Sequence, residues 1–498
     1  MPRVKLCIHG HAYQPRRISD GYILAEKVSR VPIVKETSEG RVKAGNWFQA
    51  ALKPFSVYDE IARLAELLSL DVEPVTMSAL SAANPRAFQA ILDSAFHGGS
   101  LIATAYSHPI LPLLADCSLT DLEVNIRWSL SYYYDKVYRK LWSALQPPYP
   151  MGFWLPEMAY SRKVVEAYCK VLKELSKKWN ISISDLLPFF LLDERQGKGI
   201  DPYKVYYGEF SNVKAYFVFR DRGLSDALVF GKLEEALSAF EAALSKNPEF
   251  ILVAADAEGY TSNYGLERYK ILKDFLRTIL SKYEVQLTTV DRLVREWVVG
   301  RKPLEQVALE DYTSWSDFDV PSTWYLGRKP GKLCRWSGYE AEAPRGGKLP
   351  TYYVLYSYCN PPLDERERLK LTNSCWKVHF SYVRRLVSSF VRESAMLLLE
   401  LHLGSAKLAK KAIEDFWMVA LGEASFASFL ERVAKEFLEE ADDRAKGVVI
   451  SALRAYQLAC QDSQISCPTF WSHSDNELLE TSLSLLLGGL VELVKALK

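Results

Sequence analysis

Short apolar runs recur through the first 300 residues of the chain, and polar or charged side chains follow each of them. The clearest of these runs occupy residues 4–9, 100–106, 151–155, 186–192, 213–219 and 250–255. Segments with helical periodicity fill most of the intervals between them. Strands that alternate with helices and carry polar residues at their C-terminal ends are typical of a parallel α/β barrel, whose active site lies at that end. The pattern therefore predicts such a barrel.

The other elements are predicted from the same two periods. Helices are expected over residues 57–70, 84–96, 119–145, 162–178, 232–245, 267–281 and 290–298, and further strands over residues 73–77 and 285–288. Residues 9–15 have the composition of a loop after the first strand, and residues 16–46 are polar and irregular.

The character of the chain changes near residue 302, where an irregular stretch rich in Trp, Tyr, Gly and Pro begins. Helical periodicity returns at residue 364 and continues to the end. We therefore expect residues 1–300 to form the catalytic barrel, residues 301–362 to complete the cleft, and residues 363–498 to form a C-terminal α-helical bundle domain.

Composition excludes several classes of function. The net charge is +1, which gives no basic field for nucleic acid. No apolar run is long enough to span a membrane, and the first residues lack the apolar region of a signal peptide, so we expect a cytoplasmic protein. The eight cysteines form no C-x-x-C pair, and we expect reduced thiols. No nucleotide, serine-hydrolase or calcium-sensor motif occurs, which argues against those classes of protein. We expect no cofactor, and the interpretation favoured below has no bound metal. Oligomeric state is left open.

Two carboxylates stand directly after predicted buried strands. Glu157 follows the run at residues 151–155 and Pro156, which cannot continue a central strand, and Asp256 follows residues 250–255. In a barrel both side chains face one cleft, and retaining glycosidases need two carboxyl groups about 5–5.5 Å apart. Glu258 would raise the pKa of Asp256 by charge repulsion, which suits a proton donor. The structural alternative is a solvated glutamate at a strand end and an aspartate that caps a helix.

Aromatic side chains are abundant, with 28 Tyr, 22 Phe and 12 Trp. Most belong to the core, but a surplus also suits a cleft that stacks on sugar rings. Trp154 flanks Glu157, and Trp315, Trp324 and Trp336 lie in the irregular stretch. These tryptophans are either sugar platforms or packing residues.

His9 and His11 form an H-x-H pair at the end of the first strand. Alternating residues can bring two imidazoles to one side of a metal, as in metal-dependent deacetylases and amidohydrolases. His108 also stands at a predicted strand end, and Asp193 and Asp256 could complete a ligand set. That alternative stays open.

Without a metal, His9, His11 and Gln14 would donate hydrogen bonds to sugar hydroxyls, which is the interpretation we favour. Arg220 and Asp221 form either a substrate clamp or, more in keeping with such pairs, a scaffold ion pair.

Four ordered segments resemble the conserved segments of glycoside hydrolase family 57. They are H-G-H-A-Y-Q-P at residues 9–15, A-Y-S-H-P-I-L-P-L at 105–113, G-F-W-L-P-E at 152–157 and A-D-A-E-G at 255–259. Residues 219–221, 461–463 and 470–471 are also similar to the family, and residues 313–317 are the best candidate for its fifth segment, from which they depart.

The resemblance implies a distorted (β/α)7 barrel followed by helices, and retaining chemistry on α-glucans with Glu157 as nucleophile and Asp256 as acid/base. Activities in the family range over α-amylase, amylopullulanase, 4-α-glucanotransferase, branching enzyme and α-galactosidase, and the compact layout is closest to the maltose-forming amylases. The candidate substrate-binding residues are His9, His11, Gln14, His108, Trp154, Arg220, Glu258, Trp315 and Asp317.

The residues and the resemblance together favour hydrolysis of α-1,4-glucans or maltooligosaccharides. Glycosyl transfer on the same fold, a deacetylase that uses His9 and His11, and a glucan-binding protein without turnover are the alternatives.

Overall fold

A computed structural model describes residues 4–316 except Arg30 and Glu39, together with residues 375–470 and 477–498. The strands are β1 (Val4–Ala12), β2 (Ile33–Thr37), β3 (Gly40–Ala44), β4 (Ser69–Val72), β5 (Ser100–Leu101), β6 (Tyr149–Trp154), β7 (Leu186–Asp193), β8 (Tyr206–Phe210), β9 (Val213–Arg220), β10 (Phe250–Asp256), β11 (Val285–Thr288) and β12 (Glu305–Gln306).

The α-helices of the barrel region surround these strands. They are Trp47–Leu52, Val57–Leu64, Pro74–Ala83, Pro85–His97, Leu111–Cys117, Leu119–Tyr133, Arg139–Ser143, Arg162–Lys178, Arg222–Phe230, Leu233–Leu244, Leu266–Lys282 and Val290–Val299. The C-terminal helices are Cys375–Leu403, Ala406–Asp415, Trp417–Ala420, Phe426–Val433, Lys435–Glu440, Asp443–Tyr456, Cys467–Phe470 and Glu477–Leu497. None of the helices in the described ranges is both long and apolar enough to cross a membrane.

Two five-stranded sheets together make the barrel wall. In the first, β1 pairs in parallel with β10, β4 and β11, and β4 pairs with β5. In the second, β6, β7 and β9 are parallel, and β8 adds antiparallel to β9. At one junction the amide N of Trp154 donates to the carbonyl O of Ala103 at 2.8 Å, and at the other the amide N of Asp221 donates to the carbonyl O of Leu252 at 2.8 Å. These contacts close the distorted barrel expected from the sequence.

The C-terminal helices pack on the barrel through buried polar contacts. Asp121, on a barrel helix, accepts hydrogen bonds from Arg392 Nη1 at 2.6 Å and from Tyr456 Oη at 2.8 Å. Trp128 Nε1 donates to the carbonyl oxygen of Ile413 at 2.8 Å. The helical region is therefore joined to the barrel core. The domain limits at residues 300 and 362 stay predictions, and residues 317–374 lie outside the described ranges.

Most elements predicted from periodicity are confirmed. The helices predicted at residues 84–96, 162–178, 232–245, 267–281 and 290–298 differ from the structure by at most one residue at either end. The helix predicted at residues 119–145 is interrupted by a π-helical turn at Tyr134–Tyr138. The strands that end at Trp154 and Asp256 are also confirmed.

The strand predicted at residues 73–77 is wrong. The strand is Ser69–Val72, and a helix covers Pro74–Ala83, because proline is tolerated at the first helical position but donates no hydrogen bond to a sheet. The preceding helix, predicted at residues 57–70, ends at Leu64.

Three further differences concern residues predicted as loop or strand. The loop expected from residue 9 begins only after Ala12, because β1 continues through the H-G-H segment. The strand predicted at residues 100–106 keeps its regular pairing only at Ser100–Leu101. Residues 16–46, predicted as irregular, contain the antiparallel hairpin of β2 and β3, whose alternating polar residues face outward.

Candidate active site

Glu157 follows β6 within a single turn of 3-10 helix, Pro156–Met158. Its backbone adopts the left-handed conformation, with φ of 59°, which is uncommon for a residue other than glycine. Trp315 Nε1 donates to Oε2 of Glu157 at 2.8 Å, and the Ser316 hydroxyl donates to the same oxygen at 3.2 Å. These hydrogen bonds fix the carboxylate of a residue whose backbone is strained. Strained backbone conformations of this kind are frequent at functional sites.

Asp256 is the last residue of β10 and lies opposite His11 in the pairing of β10 with β1. Burial raises the pKa of Asp256 well above its ordinary value, and the negative charges of Glu258 and Glu157 raise it further. Arg220 opposes this shift. Because the charge of Glu157 raises the pKa of Asp256, the two carboxyl groups must lie close enough to form one site. A carboxyl group with a raised pKa keeps its proton to higher pH than an ordinary aspartate, and the protonated form is the one that can donate a proton.

Glu258 lies on the 3-10 turn Ala257–Tyr260 that follows β10. Burial raises its pKa to about 7. Gln14 Nε2 donates to Oε1 of Glu258 at 3.1 Å, so the ends of β1 and β10 are joined at the site. A Cβ atom on Gly10 would lie 2.9 Å from that of Ala257, which explains the glycine of the H-G-H segment.

Asp71, near the end of β4, binds both histidines of β1. Its Oδ1 lies 2.9 Å from His9 Nε2, and its Oδ2 lies 2.8 Å from His11 Nδ1. Both imidazoles stack on Trp154, with ring centroids 5.1 and 5.0 Å away. Burial lowers the pKa of His9, and it lowers the pKa of His11 to about 3, so both rings are neutral. His9 and Trp154 have no exposed surface and lie beneath the site.

His108 comes after β5 and meets His11 at the site. The Nε2 atoms of the two rings are 2.9 Å apart. Oε1 of Glu73 lies 3.5 Å from Nε2 of His11 and 3.6 Å from Nε2 of His108. Ser466, from the C-terminal helical region, places its hydroxyl 2.9 Å from His108 Nδ1. Tyr13 stacks on the His108 ring at 4.3 Å. The cluster therefore joins the barrel to the helical region.

Asp193, at the end of β7, is fully buried among three guanidinium groups. Its Oδ2 accepts from Arg220 Nε and Arg222 Nη1, both at 2.9 Å, and its Oδ1 accepts from Arg195 Nε at 3.1 Å. Burial alone would raise the pKa of Asp193, but the three positive charges lower it below its ordinary value. Arg195 and Arg222 also donate to the carbonyl oxygen of Trp315 at 2.9 and 3.1 Å. Through these arginines, Asp193 holds the segment around Trp315 in place. Both of its carboxylate oxygens are bound to arginines, so it is not positioned to bind a metal ion.

Arg220 stacks its guanidinium on the Trp315 ring, 5.0 Å from the centroid. Its acidic partners are Asp193 and, 3.3 Å from its Nη2, Asp226. Its neighbour Asp221 instead caps the next helix by accepting from the amide N of Leu224 at 2.8 Å. The indole of Trp315 meets Trp154 edge-on, with centroids 5.1 Å apart. Arg220 therefore supports the aromatic wall that Trp315 forms beside Glu157.

The structure brings together most of the residues proposed from the sequence. Glu157, Asp256, His11, Gln14, His108, Glu258 and Trp315 meet at the C-terminal ends of the strands, and His9, Trp154 and Arg220 lie behind them. Asp317, Trp324, Trp336 and Trp471 lie outside the described residues.

Sequence reasoning missed Asp71 and Glu73. Both carboxylates lie at the end of β4, directly after an apolar segment, which is the same signal that identified Glu157 and Asp256. The predicted strand starts at Glu73. It therefore places Asp71 before the strand and Glu73 at its first position, whereas both residues lie at the C-terminal end of the observed strand.

Known proteins resemble this chain in family and in fold. Residues 88–302 match the model of glycosyl hydrolase family 57, which confirms the resemblance found in the sequence. That range includes His108, Glu157 and Asp256, whereas the H-G-H segment and Trp315 lie outside it. A comparison with curated proteins finds no match.

Among solved structures, the chain is similar to an exo-type maltose-forming amylase from Pyrococcus sp. ST04, with 21% sequence identity and a TM-score of 0.75 over 99% of this chain and 79% of that chain. This likeness confirms the distorted (β/α)7 barrel with a helical C-terminal region.

Two more distant matches are a 4-alpha-glucanotransferase from Thermococcus litoralis and a branching enzyme from Thermococcus kodakaraensis. The first has 15% identity and a TM-score of 0.48 over 92% of this chain and 60% of that chain. The second has 13% identity and a TM-score of 0.46 over 91% and 90%.

Proposed function

We propose that this chain hydrolyses α-1,4-linked glucans with retention of configuration. The match of residues 88–302 to the model of glycosyl hydrolase family 57 supports glycoside hydrolase or transferase activity. Glu157 is the nucleophile and Asp256 the acid/base. The observation that carries the proposal is the pairing of two unlike carboxyl groups at the ends of β6 and β10. Glu157 accepts hydrogen bonds from neutral donors, whereas burial and the charges of Glu258 and Glu157 raise the pKa of Asp256 and so favour its protonated form.

In the first step, Glu157 attacks the anomeric carbon while Asp256 gives its proton to the glycosidic oxygen of the leaving chain. The hydrogen bonds from Trp315 and Ser316 to Oε2 favour the negative charge that a nucleophile needs. The raised pKa of Asp256 favours the protonated form that this step needs.

In the second step, Asp256 is ionised and takes a proton from water, which attacks the glycosyl-enzyme from the side that the leaving group vacated. Glu157 is released as a carboxylate. Transfer to a sugar hydroxyl uses the same intermediate, so a glucanotransferase or branching enzyme differs from a hydrolase only in which acceptor reacts.

The sugar in the subsite beside Glu157 is bound by side chains at the strand ends. His11, His108 and Gln14 lie around the subsite, and Trp315 forms one wall with an apolar face suited to a pyranose ring. His9 and Trp154 act from beneath by fixing the His11 ring. Glu258 orients the Gln14 amide.

Incubation with maltoheptaose, followed by chromatography of the products over time, tests the proposal. We expect the parent to release short maltooligosaccharides and Glu157→Gln to lose at least about a thousandfold in kcat. Glu166→Gln is the matched control, because Glu166 forms a solvent-exposed ion pair with Arg162 on a barrel helix.

Turnover by Glu157→Gln within a few-fold of the parent would refute the proposed nucleophile. Longer or branched products from the parent would replace hydrolysis by transfer. Binding of maltoheptaose without any turnover by the parent would indicate a glucan-binding protein.

A further inference from the structure

We propose that His11, Glu73 and His108 form a binding site for one divalent transition-metal ion, with Zn²⁺ the best-fitting candidate. This inference goes beyond the proposed glycosidase activity. It also differs from the interpretation that the sequence favours, in which the histidines bind sugar hydroxyls without a metal. The three ligands come from β1, from the residue after β4 and from the loop after β5.

The ligand atoms have the spacing of a metal coordination shell. His11 Nε2, His108 Nε2 and Glu73 Oε1 are separated by 2.9, 3.5 and 3.6 Å. Zinc–nitrogen and zinc–oxygen bonds of about 2.0–2.2 Å in a tetrahedron place neighbouring ligand atoms roughly 3.3–3.5 Å apart. The observed separations scatter around these values, so a single ion can bind all three atoms with small adjustments.

The Glu73 carboxylate gives a second and independent indication. The residue is 0% exposed, and neither of its oxygens accepts a well-formed hydrogen bond from another described residue. A buried carboxylate without donors is costly, and a bound cation removes that cost. A metal ion at this position would supply the missing partner.

Hydrogen bonds at Nδ1 orient both histidine rings for metal binding through Nε2. His11 Nδ1 lies 2.8 Å from Oδ2 of Asp71, and His108 Nδ1 lies 2.9 Å from the Ser466 hydroxyl. When each Nδ1–H donates to its oxygen partner, both Nε2 lone pairs point at the shared space between the rings. Histidine ligands of metals almost always donate their other N–H in this way.

The ligand set also narrows the choice of metal. Two imidazole nitrogens and one carboxylate oxygen suit zinc and leave a fourth position for an oxygen ligand. His9 is not in the set, because among the described residues only His11, Glu73 and His108 bring their ligand atoms within 4.8 Å of one another, and the Nε2 of His9 is bound to Asp71. The metal site therefore differs from the H-x-H pairing of His9 with His11.

Zinc titration of the chelator-treated, full-length protein tests the site without reference to activity. We expect one Zn²⁺ per chain, with affinity lowered at least tenfold in Glu73→Gln and in His108→Ala, and also in Asp71→Asn, which keeps the ligands but loosens His11. Co²⁺ should bind with the intense visible absorption of a four-coordinate N/O site. His97→Ala is the control for nonspecific binding, because His97 is exposed at the end of a barrel helix.

Circular dichroism first establishes which variants fold. If His108→Ala does not fold, the milder Glu73→Gln and the Co²⁺ spectrum of the parent still decide the question. Less than about 0.1 Zn²⁺ per chain, or binding that is equal in the parent and Glu73→Gln, would overturn the proposal and leave a hydrogen-bonded histidine pair. Glu157→Gln should bind zinc like the parent, so failure of the proposed glycosidase activity and failure of the metal site are distinguishable.

Discussion

Trp315 donates a hydrogen bond from its indole Nε1 to Oε2 of Glu157, across 158 positions of the chain and at a distance of 2.8 Å. The amide N of Trp315 also donates to the carbonyl oxygen of Glu157 at 3.3 Å. A residue that follows the barrel in sequence therefore fixes both the backbone and the carboxylate of the proposed nucleophile. The left-handed backbone of Glu157 is the strained part of this arrangement.

Trp315→Phe keeps an aromatic wall but removes the indole donor. We expect kcat to fall about 10- to 100-fold, because a hydrogen bond to a charged group contributes roughly 1.5–3 kcal/mol. KM should change less, since the ring still faces the sugar. Steady-state kinetics on a maltooligosaccharide measures both constants. Trp47→Phe is the matched control, because Trp47 is 48% exposed on a short helix. Equal kcat values in the two variants would contradict the role given to Trp315.

The raised pKa of Asp256 sets the pH dependence of activity. The groups that act on it are Glu258, Glu157 and Asp71, which raise its pKa, and Arg220, which lowers it. Because Asp256 must be protonated to act as the acid, kcat/KM is lost as pH rises through that raised pKa. The basic limb of the profile should therefore lie well above the ordinary range of an aspartate.

Glu258→Gln removes one of the negative charges that raise the pKa of Asp256. We expect the basic limb of kcat/KM to move to lower pH, while the amide can still pair with Gln14. The measurement is a kcat/KM profile of the parent and the variant in the same buffers. A basic limb that stays in place, or moves upward, would show that Glu258 does not act on the proton donor.

Arg220→Met tests the buried charges around Asp193. We expect the free energy of unfolding at pH 7 to fall by about 3 kcal/mol, because a buried carboxylate loses one of its partners. The folded-state pKa of Asp193 is lowered, so its stabilisation is present above its unfolded value of 3.8 and is lost as pH falls below it. Urea unfolding should show a difference between parent and variant that shrinks toward pH 3.

The double variant with Asp193→Asn provides the control for this pair. Since the arginine and the aspartate contact each other, its destabilisation should be smaller than the sum of the two single changes. Additive effects would mean that the two side chains contribute separately.

The positions of Glu157 and Asp256 at strand ends could be predicted because each follows an apolar run long enough to form a buried strand of the barrel. Proline after β6 marks one end, and the acidic pair after β10 marks the other. Local sequence determines these features, so the helices and most strands are also predictable. The role of either carboxylate stays a prediction until it is tested.

Contacts between distant segments could not be predicted in the same way. β4 is only four residues long and follows a helix whose apolar period runs into it. The predicted strand therefore starts too late, with Asp71 before it and Glu73 as its first residue. The hydrogen bond from Trp315 to Glu157 and the approach of His108 to His11 depend on how strands meet across the barrel. No local periodicity encodes such distances.

Trapping of the glycosyl-enzyme tests the central claim most directly. Asp256→Asn can be treated with a 5-fluoro maltosyl fluoride, whose leaving group needs no acid, and the glycosyl-enzyme should accumulate because its hydrolysis lacks a base. Peptic digestion and mass spectrometry should then find one maltosyl derivative per chain, attached to Glu157. A derivative on another residue, or none under conditions where the fluoride is consumed, would contradict the account.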